Sequence, residues 1–122
     1  MDIARVVPNI TTGLIDESRE FYCGLFGFEV VMDMGWIVTL LSPSTNIAQI
    51  SIVRGERAVA IDDRISLSID VANVDMVFER ALSNDCDIVY DLTDEPWGVR
   101  RFHVRDPNGV LVNVLTHIKS AG

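Results

Sequence analysis

The sequence predicts an α+β fold built from two βαβββ modules, and three observations carry that prediction. Strand-like runs and amphipathic helical stripes follow the order strand, helix, three strands, and that order occurs twice. A shift of 57 positions lays Val7 on Arg64, Phe21 on Phe78 and Leu25 on Leu82, so the halves share their helix anchors. Between them the polar stretch from Arg54 to Asp63 breaks both periodicities. The expected organisation is one domain over 1–122, made of modules 1–54 and 64–117 joined by a connector, 55–63.

Arg5 to Thr12 is a short β-branched run ending at Gly13, and Pro8 places it at an edge or near a strand start. From Asp16 to Phe26 the positions Ser18, Phe21, Tyr22, Leu25 and Phe26 form one helical stripe, with acids in the first turn and Gly27 as a stop. Three strands follow: Phe28 to Asp33, Trp36 to Leu41 after a Met34-Gly35 turn, and Ile47 to Val53 after Ser42-Pro43-Ser44. The second half opens with a strand from Arg64 to Asp70. Its helix carries Val74, Val77, Phe78, Ala81 and Leu82 behind Asn73, a good capping residue. Strands from Asp87 to Leu92, Val99 to Arg105 and Val110 to His117 complete it, the last two joined by the turn Asp106-Pro107-Asn108-Gly109.

At 122 residues the chain is long enough for a core without disulfides or a structural metal. A hydrophobic fraction of 48% with 23% charged residues is that of a globular protein. The net charge of −8 argues against a nucleic-acid partner, which needs a clustered positive field. Cys23 and Cys86 lie far apart, with no CxxC and no zinc spacing, and read as reduced thiols. Met1 to Pro8 has no long apolar run behind a basic start, so neither signal peptide nor membrane anchor is expected and the location is cytoplasmic by default. No glycine-rich phosphate loop and no GxSxG occur.

Phe21-Tyr22 followed by Leu25-Phe26-Gly27-Phe28 resembles the helix end of the vicinal-oxygen-chelate superfamily of glyoxalase, bleomycin-resistance and dioxygenase-like proteins. Pro96-Trp97-Gly98-Val99-Arg100-Arg101-Phe102, then Asp106-Pro107-Asn108-Gly109, resembles its C-terminal segment more sharply. The resemblance implies curled mixed sheets enclosing a cavity, in a homodimer. It also implies four metal-ligand positions, one on the first and one on the last strand of each module. These fall on Val7 (or Asn9, if the short loop is aligned differently), Gln49, Arg64 and Asn113. Valine cannot coordinate, arginine is a permanent cation, and Gln and Asn amides are poor ligands without carboxylate or imidazole help. No metal and no other cofactor is therefore expected.

The residues placed toward the cavity are Asn9, Trp36, Gln49, Arg64, Trp97, Arg101, His103 and Asn113. Alternation puts Leu111 and Leu115 on the face of Asn113, and Arg101 with His103, while Phe102 and Val104 turn to the core. Arg101 beside Arg64 makes a positive spot suited to an anionic ligand group; alternatively either guanidinium pairs with Asp70, Asp91 or Glu95 and braces the sheet. Trp97 borders the cavity mouth and is placed to stack on a planar ligand, whereas Trp36 reads equally as a half-buried sheet residue. Polar Asn9, Gln49 and Asn113 at inward positions point to a wet or ligand-filled hollow, unless they bond one another. No catalytic set is visible. His103 is the candidate for acid/base work, its free pKa being near neutrality; His117 reads as a surface residue.

The leading expectation is a metal-free binder of a small organic molecule, sequestering an antibiotic or metabolite. The alternatives are a lyase, isomerase or dioxygenase with an atypical metal or acid/base site, and a dimeric scaffold with a collapsed cavity.

Overall fold

Backbone pairing sorts the eight strands into two separate four-stranded mixed sheets, neither closed on itself. The structure is a computed structural model and describes residues 1–56 and 63–119. The chain divides into two units, Met1–Ala60 and Ile61–Gly122. The connector expected over 55–63 therefore lies largely outside the described residues.

In the first unit the elements are β1 (Asn9–Thr12), α1 (Ile15–Phe26), β2 (Glu29–Asp33), β3 (Ile37–Ser42) and β4 (Thr45–Arg54), and the sheet order is β1-β4-β3-β2. Helix α1 forms where the stripe predicts and buries Ile15, Ser18, Tyr22 and Leu25. It ends at Gly27, whose φ of 74° is the left-handed conformation that glycine adopts without steric cost. Strand β1 starts at Asn9 rather than Arg5, because Pro8 has no N–H to extend a ladder. Its carbonyl still accepts from Ser51 N at 3.0 Å, which closes the pairing there. Val38, Leu40, Ile50 and Ile52 form the core row of the sheet, each at most 4% exposed.

The second unit repeats the plan with β5 (Leu67–Asp70), α2 (Val74–Ser83), β6 (Asp87–Glu95), β7 (Val99–Arg105) and β8 (Leu111–His117), in the order β5-β8-β7-β6. The Asn73 side chain accepts from Met76 N at 3.1 Å and caps α2, as its residue type predicts. Val74, Val77 and Ala81 are buried, and Phe78 meets Phe102 edge-on at 5.1 Å. Leu82, expected on the same stripe, is 49% exposed. In the turn after β7, Asp106 Oδ1 accepts from the backbone N–H groups of Asn108 and Val110 at 2.8 and 2.9 Å, which holds the β7–β8 connection closed. Strand β5 is shorter than expected. Asp63 and Arg64 form a turn instead, and the Asp63 carboxylate is drawn out of any strand by both Nη atoms of Arg105 at 2.9 and 3.0 Å.

Candidate functional site on the second sheet

Strand register decides which side chains share a face. Between β7 and β8, Arg101 lies opposite Leu115 and His103 opposite Asn113. The alternate residues Phe102, Val104, Val112 and Val114 are fully buried, and the contact of Phe102 with Phe78 marks theirs as the helix side. Arg101, His103 and Asn113 therefore sit on the face away from α2, as alternation predicts. Ser68 of β5 is the partner of Asn113 on that face.

Arg101 is held on all sides. Its Nη2 and Nε donate to Glu95 Oε2 at 2.8 and 3.0 Å, and the hydroxyl of Tyr90 donates to Glu95 Oε1 at 3.1 Å. The guanidinium carbon is 5.4 Å from the Tyr90 ring centroid and 5.2 Å from that of Trp97, within cation–π range of both. The Glu95 side chain is only 9% exposed and that of Arg101 25%, so water screens the pair weakly. The expected free positive spot is thus replaced by the bracing alternative for Arg101. Nor does Arg64 stand beside it. Arg64 is in the exposed turn before β5, whose Leu67 pairs with Val112, at the Arg105 end of the sheet. Arg101 is four residues from that end, roughly 13 Å along the strand.

His103 stacks obliquely on Tyr90 with ring centroids 4.9 Å apart. Burial pushes its pKa below the ordinary histidine value and the Arg101 charge adds to this, against opposing effects of Glu95 and Asn113. The imidazole is consequently neutral at pH 7. Its Nε2 is buried without a hydrogen-bond partner, and so is Asn113 Oδ1, while Asn113 Nδ2 lies 3.2 Å from Ser68 Oγ. Trp97 occupies the turn between β6 and β7 and is 63% exposed. His117 stands apart from this cluster, exposed and 3.4 Å from Asp70.

The structure brings Trp97, Arg101, His103 and Asn113 together and leaves the other expected residues elsewhere. Asn9 is exposed on β1, its amide donating to Val7 O at 3.4 Å, and Gln49 is half-buried opposite Leu41. Trp36 precedes β3 and is 55% exposed. Sequence reasoning missed Tyr90 and the central role of Glu95. Strand β6 carries two register shifts, between Ile88 and Tyr90 and between Tyr90 and Thr93, so strict alternation could not place these side chains. Elsewhere, a shallow cleft of about 420 Å³ is lined by Asp16, Arg19, Glu20, Cys23 and Val30. Its Arg19 is paired with Asp33 at 3.1 Å, and burial pushes the Cys23 thiol upward, so it offers no activated group.

A divalent ion of the kind the fold implies does not fit the residues present. Of the four positions expected to hold it, Val7 offers no side-chain donor (Asn9 only an amide) and Arg64 is a fixed cation in the turn before β5, which leaves the amide oxygens of Gln49 and Asn113 with no carboxylate beside them. Among the described residues no three His, Cys, Asp or Glu side chains come together to hold an ion, and His103 faces the cation of Arg101. No helix among the described residues is long and apolar enough to cross a membrane.

Comparison with known proteins agrees with this architecture. Over 95% of the chain the fold is similar to TioX from Micromonospora sp. ML1, at 21% identity and a TM-score of 0.73, covering 100% of that chain. It is likewise similar to the virulence protein STM3117 from Salmonella typhimurium, with 19% identity, a TM-score of 0.73, and coverage of 97% of this chain and 100% of that one. A glyoxalase/bleomycin resistance protein/dioxygenase from Nocardioides matches at 13% identity and a TM-score of 0.73, over 99% of this chain and 87% of its own. The search of curated proteins finds no match. The family model of the Glyoxalase/Bleomycin resistance protein/Dioxygenase superfamily matches residues 3–114, and the chain belongs to that superfamily.

Proposed function

We propose that this protein binds a small planar organic molecule on the open face of its second sheet, without a metal, and sequesters it rather than transforming it. The observation that carries this reading is Trp97: a large aromatic left 63% exposed beside the held guanidinium of Arg101. An exposed tryptophan costs hydration free energy that a stacked ligand recovers. The paired Arg101 and the neutral His103 supply polar contacts at its inner edge without a strong net charge. The superfamily's chemistry needs a cation to stabilise developing negative charge, and the residues at the expected ligand positions bring no carboxylate or imidazole with which to hold one. The reading carries with it a homodimer, to be checked by sedimentation.

The test uses the Trp36→Phe protein, in which Trp97 is the sole tryptophan. Titration with a panel of planar heteroaromatic compounds, antibiotics included, should quench its fluorescence saturably and raise the melting temperature. A panel that leaves both unchanged contradicts the proposal.

A second reading, a lyase, isomerase or dioxygenase with an atypical site, is favoured by one observation, the neutral imidazole of His103 on the open face. It requires stoichiometric Fe, Mn, Ni or Zn in purified protein, or turnover that is lost in His103→Gln.

A further inference from the structure

The two buried polar atoms without partners on the second sheet, His103 Nε2 and Asn113 Oδ1, belong to residues that face each other across β7 and β8. The other end of the same carboxamide, Nδ2, is 3.2 Å from the Ser68 hydroxyl. A buried acceptor left unpaired loses its hydration with no return, so two such atoms side by side are a signal. The oxygen and nitrogen of a carboxamide are nearly identical in shape, and exchanging them moves no other atom. A hydroxyl both donates and accepts, so Ser68 serves either orientation.

We infer that the Asn113 NH2 donates to His103 Nε2 while its oxygen accepts from the Ser68 hydroxyl, a three-residue chain that fixes His103 as the Nδ1–H tautomer. The exchange pairs both orphaned atoms with a neutral ring; the competing arrangement, a proton on Nε2 donating to the unexchanged Asn113 oxygen, pairs them too and differs in the tautomer, which is what the experiment reads. The ring's buried nitrogen is Nε2, which leaves Nδ1–H as the donor for a ligand. Asn113 and Ser68 are then positioning residues, acting through the imidazole. Arg101 is already paired to Glu95 and Arg105 to Asp63, so neither guanidinium is free for an anion, while the exposed Asp70 carboxylate lies at the β5 edge of the face against His117. The ligand class that fits is a neutral planar molecule with a hydrogen-bond acceptor, a carbonyl or ring nitrogen, at its inner edge. This class rests on the binding reading above; the tautomer does not.

The experiment is long-range ¹H–¹⁵N correlation on the uniformly labelled full chain, which distinguishes the two neutral tautomers of His103. The expected result is a protonated Nδ1 and a bare Nε2. A proton on Nε2 overturns the inference. In Asn113→Asp the carboxylate can only accept, so the proton should move to Nε2; in Ser68→Ala, which alters one small exposed residue, the tautomers should mix. An unchanged pattern in both variants would show that the chain does not set the tautomer. Acetophenone, aniline and benzoate are then titrated into the wild-type protein. Acetophenone should shift the His103 and Trp97 signals with at least ten-fold tighter binding than the other two. Equal or tighter binding of aniline or benzoate overturns the ligand class. If none of the three shifts these signals, the binding reading fails while the tautomer measurement still decides the hydrogen-bond chain.

Discussion

On the first sheet the row away from the core is Ile37, Thr39 and Leu41 on β3 with Gln49, Ser51 and Val53 on β4; on the second it includes Arg101 and His103 on β7 with Asn113 and Leu115 on β8. The rows facing inward differ far less: Val38, Leu40, Ile50 and Ile52 in one unit answer to Phe102, Val104, Val112 and Val114 in the other. Each helix lies on its own sheet and each first strand runs parallel to the fourth. The repeated frame thus supplies the same apolar packing twice and charged, aromatic chemistry once. What separates the units is two cross-strand positions on the open face and the turn that carries Trp97. A fold fixed by its inward rows leaves the outward rows free to specialise.

The largest effects should come from the two cores, where each helix packs on the inward row of its own sheet. Tyr22→Ala and Phe102→Ala each remove a fully buried ring, and each should lower stability by about 3–5 kcal/mol in denaturant unfolding. Comparable losses support equivalent cores, whereas a loss confined to one variant breaks that half of the comparison. Glu95→Gln touches the outward difference. It leaves the guanidinium of Arg101 unpaired, and because that side chain keeps a quarter of its exposure the expected cost is about 1–3 kcal/mol, below that for a fully buried pair. The same variant should shift binding toward anionic compounds, which a titration with benzoate reads.

Smaller effects sharpen the contrast. Trp97→Ala should weaken ligand binding at least ten-fold, about 1.4 kcal/mol, with the melting temperature of the free protein nearly unchanged. Trp36→Ala should leave binding as it was; equal losses from both would mean that the first unit contributes as much as the second. Asn73→Ala removes the side-chain cap of α2 and should cost about 1 kcal/mol, whereas α1 has no side-chain cap bond to lose. His103 supplies a pH effect. Its folded pKa lies below the ordinary value near 6.5, so the unfolded chain takes up the proton first as pH falls. Stability should therefore decline below about pH 6.5 and level off once pH passes the folded value, and His103→Gln should remove that slope. The groups facing the ring are Tyr90, Arg101, Glu95 and Asn113, of which the two charged ones are already paired.

The frame was legible in the sequence because its signals are local. Gly27 and Asn73 mark helix ends through backbone conformation and capping, and the alternation of Arg101, Phe102, His103 and Val104 sorts one strand's faces. Strand starts were less legible. Pro8 removes the donor that would have extended β1 to Arg5, and Asp63 pulls the chain before β5 toward Arg105, a contact 42 residues away. The site was half legible. Arg101, His103, Asn113 and Trp97 are four of the eight residues expected toward one cavity, and the positive spot expected of Arg101 depends on a partner that only tertiary structure selects. By sequence Asp70, Asp91 and Glu95 are equivalent partners, and in the folded chain Glu95, beyond the two register shifts of β6, takes the guanidinium.

The measurement that bears most directly on the central claim is a ligand titration of the Trp36→Phe protein before and after exhaustive chelation, with metal content determined on the same samples. Binding that quenches Trp97 with the same midpoint in metal-free protein is the predicted result. Loss of binding on chelation, restored by one equivalent of Fe, Mn, Ni or Zn, would contradict it.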